Sequence, residues 1–337
     1  MSKVLIIAAL IGIGLAAAIT GYYGLEAVGS AFLAVGWGAA IVAMVRAIET
    51  AGAGVCWWFL FPREGRPSVR IFMLLRWVRE AINSLLPVAQ VGGELVGARL
   101  LTFYGPRGSL AGASVIVDLF LQPLTQFVFT LIGVTLLVLR TGDSEIVRWV
   151  FLGLAVMAPA LTGFFLTQRL GGIRLLEKAF VYLSRNPKWA VLGGITSLHD
   201  CLQAIYRRRR GLAAAILLHF TIWFVGVLEV WFALRFMGHP VDYGTALIIE
   251  SLAQAVRGAA FIVPGAIGVQ EGGLVVLCAV FGIPAPMAIA LSFVKRVPEI
   301  VLGIPGLLIW QGIEGRQLLR RSNLADIPVR PREFPNV

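Results

Sequence analysis

Two carboxylates in this chain close matching interruptions of apolar sequence. Glu94 ends the stretch Pro87-Val-Ala-Gln-Val-Gly-Gly-Glu94, and Glu271 ends Pro264-Gly-Ala-Ile-Gly-Val-Gln-Glu271. Pro87 and Pro264 lie 177 positions apart, and the same shift carries Glu94 to Glu271, Leu100 to Leu277 and Gly105 to Gly282. Proline removes a backbone donor and glycine weakens a helix. Pro87, Gly92 and Gly93 in one copy, and Pro264, Gly265 and Gly268 in the other, therefore mark unwound backbone. Broken helices at corresponding places in two halves point to a transporter binding site. A carboxylate there has two readings, which stay open together. It caps a helix N-terminus, where exposed N–H groups and the dipole favour negative charge, or it holds cargo or a coupling proton.

The repeat also sets Glu80 against Arg257 and Asp118 against Lys295, each pair of opposite sign. Arg296 and Glu299 follow Lys295, and Arg99 shares the first hairpin with Glu94. Ionisable groups at membrane depth are costly and count as functional hypotheses. An internal axis could bring the equivalent charges together at the centre, as translocation residues or as structural ion pairs. Arg46 and Glu49, one helical turn apart, can pair. His219, Glu229 and Glu250 are weaker candidates, and His219 reads first as a satisfied core histidine. The sequence carries no metal-ligand spacing, nucleotide loop or nucleophile elbow, so neither cofactor nor metal is expected. Cys56, Cys201 and Cys278 are widely spaced and expected to be reduced, structural thiols.

The elements that must position these residues are helices in a membrane. The chain is 58% hydrophobic and only 14% charged, where a soluble domain carries about 25%. Apolar runs of about 20 residues recur throughout. The net charge of +11 fits the positive-inside rule and excludes nucleic acid as the expected partner. Full spans are expected over 4–23, 30–61, 109–139, 147–166, 211–236 and 285–310. Ala16-Ala-Ala18 imitates a signal-peptidase site, but the first run is read as a retained span. Residues 68–83 and 92–104 form one hairpin, and 243–261 and 269–281 the other. Within 169–210, two apolar stripes fit amphipathic helices on the anionic cytoplasmic leaflet. There Arg207 to Arg210 serve as a topology anchor or as a lipid-headgroup site. The tail from 315 is expected to be mobile.

With the N-terminus inside, the inside segments hold nineteen Lys and Arg, and the outside ones only Arg140 and Arg148. The first hairpin then opens to the cytoplasm and the second to the periplasm. The expected fold is an all-α integral membrane protein with six full spans plus two re-entrant helical hairpins in inverted-topology repeats. Its segments are 1–67 (two spans), 68–168 (first repeat), 169–210 (connector), 211–312 (second repeat) and 313–337 (basic tail). Both termini are expected on the cytoplasmic side of a bacterial inner membrane.

The run Arg76-Trp-Val-Arg-Glu-Ala-Ile-Asn-Ser-Leu-Leu-Pro-Val-Ala-Gln-Val-Gly-Gly-Glu94 resembles the flippase-type membrane domain of lysylphosphatidylglycerol synthases. With Phe261-Ile-Val-Pro-Gly-Ala-Ile-Gly-Val-Gln-Glu-Gly-Gly273 it is most similar to the branch called hopanoid-biosynthesis-associated membrane proteins. The resemblance implies lipid translocation. It does not reach the soluble aminoacyl-transferase domain of the full synthases, so lysyl transfer is not expected from the short stretch after Trp310. The expected function is a non-enzymatic lipid translocase. The alternatives are a lipid-modifying enzyme with Glu94 or Glu271 as general base, or a scaffold for lipid-biosynthesis enzymes. The expected partners are a membrane lipid, the anionic leaflet and such enzymes, with the oligomeric state open.

Overall fold

A computed structural model describes residues 20–86, 92–141, 195–260 and 263–325, with isolated positions between 14 and 18 and between 148 and 166. The expected spans over 4–23 and 147–166, most of the 169–210 connector and the break at Pro87 lie wholly or largely outside the described residues. The described chain is all helical. Its helices are α1 (Leu25–Ala34), α2 (Gly38–Leu60), α3 (Val69–Leu85), α4 (Gly92–Thr102), α5 (Gly108–Thr141), α6 (Ile195–Arg207), α7 (Arg209–Phe236), α8 (Tyr243–Ala259), α9 (Val269–Ala279) and α10 (Ala285–Ala325). A 3-10 turn, Pro264–Ala266, precedes α9. Among the described residues, α2, α5 and α7 are long and apolar enough to cross a membrane. At 1.5 Å per residue the 41-residue α10 extends about 60 Å, but its central charges interrupt the apolar run.

Three expectations about elements are corrected. The run 30–61 is two helices, because Gly36 turns left-handed at φ 48°, and α2 restarts at Gly38, where the Phe236 ring fills the space of a Cβ. The second connector stripe, Ile195, Leu198, Leu202 and Ile205, turns to protein on α6 where it is described: Leu202 and Ile205 are buried in the core, and α6 packs on α5. The residues 315–325 continue α10, since the stretch holds good helix formers such as Gln317, Leu318 and Arg320 and no proline until Pro328.

The repeat reappears in the element boundaries. α4 begins at Gly92 and α9 at Val269, α5 at Gly108 and α10 at Ala285, each pair 177 positions apart. Each of α3–α4 and α8–α9 folds back on itself. Asn83 Oδ1 accepts from the Gly93 N–H at 2.9 Å, and Arg257 Nη1 donates to Gln270 Oε1 at 3.1 Å. α3 stops where Leu86 turns extended (φ −104°, ψ 144°), as the residue before a proline must.

The halves then exchange partners. α3 packs on α10 of the other half, and α8 on α5. The Trp77 indole N–H donates to the Leu302 carbonyl at 2.7 Å, and Gln126 Nε2 donates to the Gln254 carbonyl at 2.7 Å. Trp77 and Gln254 are repeat equivalents, and Gln126 matches Gly303, next to Leu302, so two similar crossing contacts form one position out of register with different side chains. Two apolar cores result. One seals α8–α9 with the end of α5 (Phe129, Val134, Leu137). The other seals α3–α4 with the later part of α10 (Leu307, Trp310). Between them, α2, α5 and α7 pass through a polar layer.

Candidate functional site

The polar layer holds three ion clusters, each assembled from several helices. In the first, Asp118 of α5 is fully buried. It accepts from Arg76 at 2.9 Å, Arg79 at 3.0 Å and His219 Nε2 at 3.1 Å. Arg79 also pairs with Glu94, and its guanidinium lies over the Trp57 ring, 4.7 Å from the centroid. Arg76 and Arg79 stand one turn apart on α3, so both reach α5 from one face.

The second cluster joins α2, α7, α8 and α10. Lys295 donates to Glu250 at 2.6 Å and to Glu229 at 3.1 Å. Arg46 reaches the same Glu229 oxygen at 2.8 Å and Glu49 at 3.3 Å. The third belongs to the second hairpin. Arg296 holds Glu271 through Nε at 3.0 Å and Nη2 at 2.9 Å, and donates to the Gly265 carbonyl at 3.1 Å. The other Glu271 oxygen accepts the Gly268 N–H at 2.6 Å, capping α9. Arg257 pairs with Glu299 at 2.6 Å.

Gly265 and Gly268, at φ 61° and 80°, form the unwound break expected of them, opened by Pro264. Gly92 and Gly93 are corrected: they are the first residues of α4. The lack of a side chain at Gly93 serves close approach, since a Cβ there would strike the Arg79 carbonyl and the Asn83 side chain. The equivalent charges do not meet. Glu80 has Arg76 at 4.0 Å as its partner, and Arg257 has Glu299. Asp118 belongs to the first cluster and Lys295 to the second. Arg99 is exposed and pairs with Glu314 at 3.1 Å, on the outside of the bundle. Sequence reasoning singled out neither Arg76 nor Arg79 as a site residue. Two arginines on the buried stripe of a helix were the available signal, because each needs a carboxylate elsewhere.

A cavity of about 430 Å³ opens between the clusters. Arg46, Glu49, Arg76, Glu80, Glu94, His219 and Arg257 contribute charge or a titratable ring to its wall, with Asn83, Gln122, Gln126 and Gln254 between them. Both halves therefore line it, with groups of both signs. Glu94 and Arg257 face it; Glu271, Arg296, Asp118 and Lys295 stand behind the wall. Glu299 lines a small cleft beside it, next to Arg46 and Glu80.

The family model described as the lysylphosphatidylglycerol synthase TM region matches residues 5–306, nearly the whole chain. The chain belongs to this family. Among relatives, a UPF0104 membrane protein of Pyrococcus horikoshii is 24% identical over 241 residues, covering 67% of this chain and 71% of the relative. A UPF0104 membrane protein of Methanothermobacter thermautotrophicus is 24% identical over 233 residues, covering 64% and 67%. No solved structure matches. Membership of the family covers both hairpins and the cavity between them. All three ion clusters, Glu299 included, fall within the matched residues.

Proposed function

We propose that this member of the family is a lipid translocase of the bacterial inner membrane. A headgroup crosses through the polar cavity while the acyl tails stay in the bilayer. One observation carries the reading: the cavity of about 430 Å³ lined by charges from both halves of the repeat. A lattice of structural ion pairs needs no void. Here Glu80 keeps 40% of its side chain accessible, so the wall retains groups available to a polar guest. Positive and negative groups together suit headgroups that join a phosphate to an amine or hydroxyls, as in aminoacylated or anionic phospholipids, or the hydroxyl and amine groups of polar hopanoids.

In this reading, six full spans comprise α2, α5, α7, α10 and the runs 4–23 and 147–166. The hairpins α3–α4 and α8–α9 are re-entrant from opposite sides, with both termini cytoplasmic. Non-helical backbone at membrane depth is tolerated where protein surrounds it or it lines a wet cavity, and the apolar cores around both hairpins support that placement. The protein moves its cargo without changing it and works beside lipid-biosynthesis enzymes.

Proteoliposomes reconstituted with the purified chain test this. Labelled phosphatidylglycerol, phosphatidylethanolamine and a polar hopanoid are followed between leaflets, with mass spectrometry of the lipid afterwards. Movement of at least one, chemically unchanged, is expected, and Glu94→Gln abolishes it while the protein stays folded. No movement of any of them, or a modified lipid, refutes the proposal. The topology has its own check in a cysteine-free background. A cysteine at position 283 should react with an impermeant reagent from outside, and one at position 106 should not.

A further inference from the structure

A second site lies away from the ion clusters, where the end of α2 meets the start of α7. A groove of about 800 Å³ is walled by Arg63, Arg66 and the run Arg207 to Arg210, with Trp58, Phe59 and Glu64 in the same lining. Two of the six arginines are fixed by the carbonyl end of α2. Arg66 Nη1 donates to the Trp58 carbonyl at 3.3 Å, and its guanidinium stacks 3.4 Å from the centroid of the Trp58 ring. Arg208 Nη1 donates to the Leu60 carbonyl at 3.1 Å. The last-turn carbonyls and the negative end of the helix dipole explain why cations gather there. Gly211 permits the approach of α7, since a Cβ would stand 2.6 Å from the Phe59 carbonyl oxygen.

Among the described residues, none of the six arginines forms an ion pair with a carboxylate, although Glu64 lines the same groove. Arg66 and Arg208 each spend one guanidinium nitrogen on a carbonyl, and their other N–H groups have no protein acceptor among the described residues. Burial lowers the pKa of both, and Arg63 adds like-charge repulsion to each. The N-cap of α7, Arg208, offers no side-chain oxygen to the first turn. A topology anchor needs only charge. It does not need two guanidiniums held in place with their forks free.

We propose that this groove binds the phosphate of a membrane phospholipid, held by Arg66 and Arg208, with Trp58 and Phe59 packing against the glycerol and upper acyl region. Fixed guanidinium forks match the oxygens of a phosphate, and the aromatic pair ends an apolar span, at the depth where headgroups lie. The site is separate from the cavity, and its occupancy does not require transport.

The test is native mass spectrometry of the full chain in detergent. It is titrated with dimyristoyl phosphatidylglycerol, with dimyristoyl phosphatidylcholine and, as the soluble source of the same chemistry, with glycerol 3-phosphate. Preferential retention of phosphatidylglycerol is expected. The paired substitution Arg66→Gln with Arg208→Gln should weaken it at least about tenfold, equal to about 1.4 kcal/mol. Arg107→Gln with Arg316→Gln removes the same charge from exposed positions and should leave retention unchanged. Arg66→Lys with Arg208→Lys keeps the charge and should recover only part of the binding. Glycerol 3-phosphate displacing the lipid would assign the site to soluble phosphates instead of lipid and overturn the lipid assignment. Equal loss in both Gln pairs, or full recovery with lysine, reduces the groove to net charge and overturns the site. The separate transport assay can fail without affecting any of these outcomes.

Discussion

Asp118 is the residue on which the first ion cluster depends, and Asp118→Asn is the sharpest test of it. The carboxylate has no solvent exposure and compensates Arg76 and Arg79, which are 7% and 1% exposed. Amide replacement keeps the shape and one acceptor but removes the charge. Arg79 retains Glu94, whereas Arg76 is left with Glu80 at 4.0 Å. Stranding a buried charge costs about 3–5 kcal/mol. The comparison is Asp242→Asn, at an ion pair with Arg140 whose side chains are 57% and 40% exposed. Solvent screening holds such a pair to about 0–1 kcal/mol. Asn also caps helices as well as Asp, so the Asp242 bonds to the Gly244 and Thr245 N–H groups have a replacement. The assay is equilibrium unfolding of both purified variants in mixed micelles, followed by tryptophan fluorescence. Asp118→Asn should lose at least three times as much stability as Asp242→Asn, and combining it with Arg79→Gln should cost less than the sum of the single losses. Equal losses from the two aspartates would refute the reasoning that burial makes this cluster structural.

Three further outcomes follow from the geometry. Arg257→Glu should impair folding, and adding Glu299→Arg should restore part of the loss, because these two pair at 2.6 Å; adding Glu80→Arg should restore none, and thermal unfolding of the three variants decides it. Glu271→Gln should lower stability by about 3–5 kcal/mol, since its carboxylate is fully buried against Arg296 while it caps α9; a fully stable variant would remove Glu271 from the second hairpin's support. The Asp242 pKa is lowered, first by its hydrogen bond to Arg140 and then by Thr245. Its stabilisation is therefore complete above the ordinary carboxylate pKa and fades as pH falls through and below it. The stability gap between wild type and Asp242→Asn should close on acidification, and a gap that widened in acid would contradict that sign.

Much of the fold was legible because its signals are local. Pro264, Gly265 and Gly268 interrupt hydrogen bonding within a few residues, and hydropathy marks the long helices α5 and α7. The repeat was legible too: a shift found from Pro87 and Pro264 also aligns the starts of α4 with α9 and of α5 with α10. The same shift misled the reading of the charges. The shift carries Asp118 to the position of Lys295, but equivalence in sequence does not put two side chains in contact. The contacts between the halves form between different positions, as Trp77 with Leu302 and Gln126 with Gln254 do. Which carboxylate meets which guanidinium depends on helix rotation, crossing and side-chain reach, none of which is local. Gly93 makes the same point at one residue. The sequence marked it as a helix breaker, and the packed hairpin uses it inside a helix, where only a missing Cβ lets α4 lie against the Arg79 carbonyl.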